Sequence, residues 1–345
     1  MQTYRLALIG FGNVGQGFAE ILRDRSADLA RQFGAEFQIV GVCTRRRGSV
    51  YDPQGLDPAA LLAAVNSPGY LESLASPHRG WEPLRLIRES NAGVVVEVSP
   101  TDLQTGEPAI THVRAALEAG KHVVTANKGP VALRYPELSG LARAHGTQLG
   151  VEGTVMGGTP VLRMGRELLS AAGIYRMQGI LNGTTNYILT QMENGATYAA
   201  ALAEAQARGY AEADPTGDVE GYDPAAKVVI LANLFLGAAL SLAQVDRQGI
   251  TQLTPADIEA ARGAGERWKL VGTVEHRDGQ ITASLRPTRL PLAHPLASVN
   301  GAANALIFST RLLGEVTLVG AGAGRVETGF AILSDLLAIH RESGG

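Results

Sequence analysis

An apolar run over residues 4–9 predicts a short buried strand, and it passes without a polar break into Gly10-Phe11-Gly12-Asn13-Val14-Gly15. Beyond the glycines the apolar positions fall at helical spacing, at Phe18, Ile21, Leu22 and Leu29. A strand, a glycine turn and a helix in that order predict a dinucleotide-binding unit, in which the glycines allow a tight turn and let a pyrophosphate approach a helix N-terminus. The competing reading of the glycines is an ordinary tight turn. The order of the flanking elements favours the nucleotide.

The pattern continues as alternating strands and helices. A second strand over 37–43 ends in Thr44-Arg45-Arg46-Arg47, and residues 48–92 read as an elaborated crossover. Val94-Val95-Val96-Glu97-Val98 is a buried strand ending at Ser99-Pro100. A helix over 108–119 and a strand over 121–125 follow, the latter ending in Asn127-Lys128-Gly129-Pro130. Parallel sheets carry their sites at the carboxyl ends of the strands, which aims Lys128 at a cofactor crevice. Next come a helix over 136–145, a strand over 147–155 and a helix opened by Gly157-Gly158-Thr159-Pro160. A strand over 175–181 leads through Asn182-Gly183-Thr184-Thr185-Asn186 into a helix over 187–193. A helix N-terminus bearing hydroxyls and amides can bind an anion or simply cap itself. The remainder predicts a helix over 198–208 closed by Gly209, a long apolar helix, and a helix over 254–266. A hairpin around Asp278-Gly279, two further strands, a glycine turn over 320–324 and a final helix over 327–341 complete the chain.

Residues 209–227 gather Glu212, Asp214, Asp218, Glu220 and Asp223 in one loop ahead of the apolar helix. Asp223 is expected as its N-cap and Pro224 as its first residue, which puts Lys227 one turn in and on the same face as Asp223. A surface ion pair is the plain alternative. Only four of the 30 cationic residues are lysines, at 121, 128, 227 and 269. Arginine matches lysine on a solvated face but does not release its proton, so a surviving lysine is a candidate for acid–base work. Counted from Asp214, the sixth and twelfth positions are Val219 and Ala225, which fails the calcium-loop pattern.

The terminus of the second strand lacks the acid that would hold a ribose 2′-hydroxyl and offers arginines suited to a 2′-phosphate, so NADP(H) is expected over NAD(H). A solvated arginine run is the alternative. A net charge of −3 and the lack of a basic aromatic stripe give no reason to expect nucleic acid. One cysteine, Cys43, rules out an internal disulfide and fits the cytoplasm, and no apolar run suits a membrane span. The seven histidines show no zinc spacing, and no nucleophile motif for acyl transfer is present.

The chain resembles the homoserine dehydrogenases. Five motifs carry the resemblance: Gly10-Phe11-Gly12-Asn13-Val14-Gly15-Gln16-Gly17, Ala126-Asn127-Lys128-Gly129-Pro130, Gly183-Thr184-Thr185-Asn186-Tyr187-Ile188-Leu189, the loop 209–227, and Gly320-Ala321-Gly322-Ala323-Gly324. It implies an α/β fold, with a Rossmann dinucleotide-binding domain over 1–130, closed by 310–345, and an inserted α/β catalytic and dimerisation domain over 131–309. It implies NAD(P)-dependent interconversion of L-aspartate 4-semialdehyde and L-homoserine by a homodimer. Lys227 matches the proton donor and Lys128 a second active-site lysine that also lies at the cofactor. Glu212, Asp218, Asp223 and Thr185 fall on the substrate side. Gly10, Phe11, Gly12, Asn13, Val14, Gly15, Arg45, Ser99, Gly209 and Gly324 fall on the cofactor side. Glu152, Val155, Gly157 and Thr159 match a loop that holds a monovalent cation, commonly sodium. Asn13 stands where the family often has Thr. Longer members carry a C-terminal regulatory domain, and the chain stops beyond its last predicted helix, so threonine regulation through such a domain is not expected. An NADP(H)-binding redox sensor is the non-enzyme alternative, and it leaves the lysine–acid loop without a use.

Overall fold

The computed structural model describes residues 1–344, which divide into two units: residues 1–158 with 324–344, and residues 159–323. The first unit is a seven-stranded sheet of β1 (Gln2–Ile9), β2 (Ala35–Cys43), β3 (Ser49–Tyr51), β4 (His78–Arg79), β5 (Val94–Glu97), β6 (His122–Thr125) and β7 (Leu149–Gly150), in the order β4-β3-β2-β1-β5-β6-β7. The run from β2 to β7 is parallel, as the alternating strand and helix pattern demands. β3 and β4 pair antiparallel on the outer edge of β2, so the crossover expected over 48–92 is woven into the sheet.

Two helices cover the same face. Asn13–Phe33 follows β1 directly, and Arg325–Glu342, from the far end of the chain, lies against it. Their approach is close because Gly17 and Gly329 carry no side chain; a Cβ at either would strike the backbone of the opposite helix. Ile332, Leu333, Leu336 and Ile339 join Phe18, Leu22 and the strand residues Leu6, Leu8 and Ile39 in one core. Arg325 also pairs with Glu20 at 2.6 Å.

The division differs from the expected one at both joints. Residue 130 lies inside the helix Lys128–Ala144, and β7 still pairs with β6, so the first unit runs on to Gly158. The strand expected over 147–155 shrinks to β7 and is followed by a short turn of helix, Glu152–Thr154. At the other end the strand near residue 315 pairs within the second unit, which carries that unit to Ala323.

The second unit is built on a six-stranded sheet of β8 (Ile174–Ile180), β9 (Asp246–Arg247), β10 (Glu266–Arg277), β11 (Gln280–Pro291), β12 (Ala303–Thr310) and β13 (Gly314–Ala321), in the order β13-β12-β8-β10-β11-β9. The β10–β11 hairpin turns on Asp278 and Gly279, both at positive φ (51° and 78°), the conformation that an Asp-Gly pair tolerates. The helices Gly183–Glu193 and Tyr222–Leu236 pack on this sheet. The second is buried at ten consecutive positions, Pro224 to Asn233, which accounts for its lack of a polar face.

Candidate active site

In the first unit, the three glycines of the turn do three different jobs. Gly10 has φ +101°, and a Cβ there would collide with the carbonyl of Val98. Gly15 packs against Gly10 and Phe11. Gly12 is exposed, and a Cβ on it would meet nothing within 4 Å. The protein's own packing does not require glycine at 12, whereas the approach of an external group does. Gly12 is also the N-cap of Asn13–Phe33, without a side-chain cap, so the first amides of a 21-residue helix face that open ground. This is a cradle that fits a pyrophosphate. Phe11 is buried behind it, Asn13 is exposed and Val14 is partly buried.

Arg45 and Arg46 are exposed and Arg47 is half-buried, at the tip of the hairpin between β2 and β3. Thr44 closes that tip, its hydroxyl donating to the Gly48 carbonyl at 2.9 Å and accepting from the Arg47 N–H at 2.8 Å. None of the three arginines forms an ion pair among the described residues. Ser99 follows β5, and Lys128, half-buried, is the first residue of its helix rather than part of a loop. Asn127 makes that start possible by capping Gly129 N–H at 3.1 Å. Gly324 caps Arg325–Glu342 in this unit; Gly209 belongs to the second unit, after the helix Tyr198–Ala207.

The second unit brings together the lysine and two of the acids. Lys227 is 6% exposed, and its Nζ donates to the Leu181 carbonyl and to Asp223 Oδ2, both at 2.7 Å. The helix begins earlier than expected: Gly221, at φ 84°, is the N-cap, and Asp223 and Pro224 lie within the first turn. The i, i+4 contact survives the shift because both residues stay helical. Asn182, unassigned from sequence, completes the cluster by donating to Asp218 at 2.7 Å and Asp223 at 3.2 Å. Burial raises the Asp218 carboxyl above its ordinary value, and neighbouring Asp223 adds to this, while the Asn182 hydrogen bond and Lys227 oppose it.

Asn182 is held in turn. It is the N-cap of Gly183–Glu193, which starts four residues before the expected helix; its Oδ1 accepts from the Thr185 N–H at 2.9 Å and from the Thr185 hydroxyl at 3.1 Å. Thr185 is fully buried and spends its hydroxyl on Asn182, so its place is as a support for the cluster. Glu212 is exposed on the loop, outside the group that Asn182 and Lys227 tie together. The cation-loop residues divide: Glu152, Val155 and Gly157 are buried in the first unit, with Met156 and Gly157 both at positive φ, and Thr159 begins the second. Among the described residues no group of three or more His, Cys, Asp or Glu is arranged for a metal, so an ion at this turn would rely on backbone oxygens.

Comparison with known proteins identifies both units. Residues 10–152 match the profile described as homoserine dehydrogenase, NAD binding domain, and residues 160–337 the profile described as homoserine dehydrogenase. The NAD(+)-dependent homoserine dehydrogenase of Pseudomonas canavaninivorans is 45% identical over 344 residues, covering 99% of this chain and 98% of that protein. The homoserine dehydrogenase of Methanocaldococcus jannaschii is 40% identical, covering 98% and 99%. A crystal structure of a Thiobacillus denitrificans homoserine dehydrogenase superposes with a TM-score of 0.86 at 35% identity, over 99% of this chain and 74% of that one. A hyperthermophilic archaeal homoserine dehydrogenase mutant in complex with NADPH superposes with a TM-score of 0.84 at 30% identity, over 99% and 98%.

Proposed function

The chain belongs to the homoserine dehydrogenase family, whose reaction is the interconversion of L-aspartate 4-semialdehyde and L-homoserine, and from that premise we propose how its residues carry it out. The nicotinamide cofactor supplies the hydride that reduces the aldehyde carbon. Lys227 gives a proton to the alkoxide that forms, and takes it back when homoserine is oxidised. Its ammonium has three donors, of which Leu181 and Asp223 take two, leaving one for the substrate oxygen. Asp218 and Asp223 hold the substrate ammonium, with Asn182 fixing the distance between them, and Glu212 adds its charge from the loop. Thr185 acts through Asn182. The observation that carries this reading is the buried contact of Lys227 with Asp223 on one side and a fixed carbonyl on the other. The test is oxidation of NADPH in the presence of aspartate semialdehyde; no oxidation above the substrate-free rate would overturn it. Nothing favours the redox-sensor alternative, which has no use for this cluster.

Within the first unit, Gly10, Phe11, Gly12, Asn13, Val14 and Gly15 would hold the cofactor, with Ser99, Lys128 and Gly324 as further contacts, and the family's two named forms, NAD(+) and NADPH, leave its identity to the arginine hairpin. We assign NADP(H) as the preferred form and NAD(H) as a usable one, because Arg45 and Arg46 stand exposed without carboxylate partners where a 2′-phosphate would need them. Arg45→Asp should narrow or reverse the ratio of kcat/KM for the two cofactors, and an unchanged ratio would leave the arginines as a solvated run. The turn of Glu152, Val155 and Gly157 in the first unit would hold a monovalent cation, in keeping with sodium, through backbone oxygens. The protein works in the cytoplasm and forms a homodimer, the latter reading supported by β13, an eight-residue edge strand paired with β12 on one side and, among the described residues, with no strand on the other, flanked by exposed Leu312 and Leu313 and bearing exposed Val319.

A further inference from the structure

At the carboxyl end of β5 the chain buries a carboxyl group that the reaction above does not use. Val94, Val95 and Val96 are completely buried, and the next residue, equally buried, is Glu97. A fourth apolar side chain would pack there at less cost than a carboxyl group, which must be fully hydrogen-bonded to be tolerated. Its partners are specific. Ser99 N–H donates to Oε1 at 2.8 Å, and the Ser99 hydroxyl donates to the same oxygen. Nδ1 of His112, itself 5% exposed on the helix Ala109–Glu118, lies 2.8 Å from Oε2.

The chain of contacts runs on toward the lysine. Asn127 donates through its side chain to the Ser99 carbonyl at 3.1 Å while its Oδ1 caps the helix that Lys128 opens. Thr125 adds a bond to the Glu97 carbonyl at 2.8 Å and another to the Asn127 N–H at 2.9 Å. Every link lies within the first unit and at the ends of two adjacent parallel strands, where such sheets hold their ligands.

We propose that Glu97 and His112 form a positioning pair for the cofactor seat. His112 fixes the carboxyl rotamer, the carboxyl fixes the backbone and hydroxyl of Ser99, and Ser99 with Asn127 fixes the turn that presents Lys128. Neither member of the pair touches substrate or cofactor. This rests on the reading of Ser99 and Lys128 as cofactor contacts.

The test separates KM for NADPH from KM for aspartate semialdehyde in His112→Phe, which keeps a flat ring but removes the hydrogen bond. The expected result is a rise of about tenfold in KM for NADPH, the scale of a buried hydrogen bond lost with one partner left unsatisfied, with the substrate KM held. His112→Gln, which can still donate to Oε2, should recover most of it. A cofactor KM unchanged in His112→Phe would overturn the proposal, as would an equal rise in both KM values accompanied by a lowered Tm, the signature of general loosening. Should His112→Phe not fold, Glu97→Gln keeps the volume and one acceptor, and the same split in KM decides. A wild-type enzyme that fails to oxidise NADPH with aspartate semialdehyde would instead sink the functional reading itself.

Discussion

Lys227 and Lys269 are both buried in the second unit, and the company each keeps sets them apart. Lys227 has a carboxylate at 2.7 Å and sits beside a second acid. Lys269, completely buried on β10, donates only to uncharged oxygens: Val299 O at 2.7 Å, Asn186 Oδ1 at 3.2 Å and Asn300 Oδ1 at 3.3 Å. Desolvation therefore pushes Lys269 down to about 8, with Glu193 opposing and Arg267 assisting. By its titration alone Lys269 would be a candidate proton donor near neutrality, since acid–base catalysis works best with a group poised at working pH. Geometry decides otherwise. Its donors are spent on the protein, where they pin the helix Gly183–Glu193 to the turn after residue 298, and no face of it is open to a substrate. A perturbed titration marks burial first and chemistry only where a reacting atom can reach.

The largest expected effect tests that contrast directly. Lys227→Ala should lower kcat by about 10²–10⁴-fold with the KM for cofactor nearly unchanged, and Lys227→Arg should fare no better because it keeps charge without a transferable proton. Lys269→Met, if it folds, should stay within about tenfold of wild type in the same assay. A Lys227→Ala enzyme retaining more than about a tenth of the wild-type rate would reverse the two roles.

A middle-sized effect concerns what keeps the Lys227 cluster charged. The Asn182 bond favours ionised Asp218, against burial and Asp223. Asn182→Ala should cost about tenfold in kcat/KM for homoserine, the scale of a hydrogen bond to a charged group. It should also move the acid limb of the pH profile to higher pH, since Asp218 then holds its proton longer. An acid limb that stays in place would separate Asp218 from binding.

The smallest effect is one of stability. Lys269 titrates at about 8 in the folded chain against an ordinary 10.5. Below the folded value both states carry the proton and the cost of burying the charge is fully present. Between the two values only the unfolded chain keeps the proton, so the site's contribution to stability rises with pH and levels off above the unfolded value. The urea midpoint of the wild type should gain on that of Lys269→Met between about pH 7.5 and about pH 9.5. A difference that does not vary with pH would mean that Lys269 is not charged in the way its surroundings imply.

These contrasts also mark what could be read from the chain. The nucleotide turn is legible because it is made of backbone: three glycines at fixed spacing between a strand and a helix. The Lys227–Asp223 pair is legible because it is local to one helix. Asn182 is not, since it lies 36 and 41 residues before the acids it bridges, and only the packing of Gly183–Glu193 beside Tyr222–Leu236 on one sheet brings it there. The helices expected to start at 136, 187 and 224 begin at Lys128, Gly183 and Tyr222, eight, four and two residues earlier, where a cap or a positive-φ glycine sets the boundary. The scarcity of lysine pointed to acid–base work, but the structure supplies another cause. Lys121, Lys227 and Lys269 are all buried, and each donates to a backbone carbonyl, of Ser90, Leu181 and Val299. A compact ammonium can be satisfied in such a pocket; a planar guanidinium with five donors would need more acceptors than it offers.

The pairing of the helices Asn13–Phe33 and Arg325–Glu342 has a consequence for how the protein is made. The core of the nucleotide unit includes Ile332, Leu333, Leu336 and Ile339, which leave the ribosome some 300 residues after the strand they cover. Until then β1 and its glycine turn lack one of the helices that bury them, whereas the intervening unit, residues 159–323, already has all its strands. On the nascent chain the order of completion is thus the reverse of the order of synthesis: the half that begins first finishes last, and the core beneath the glycine turn closes only with the final helix.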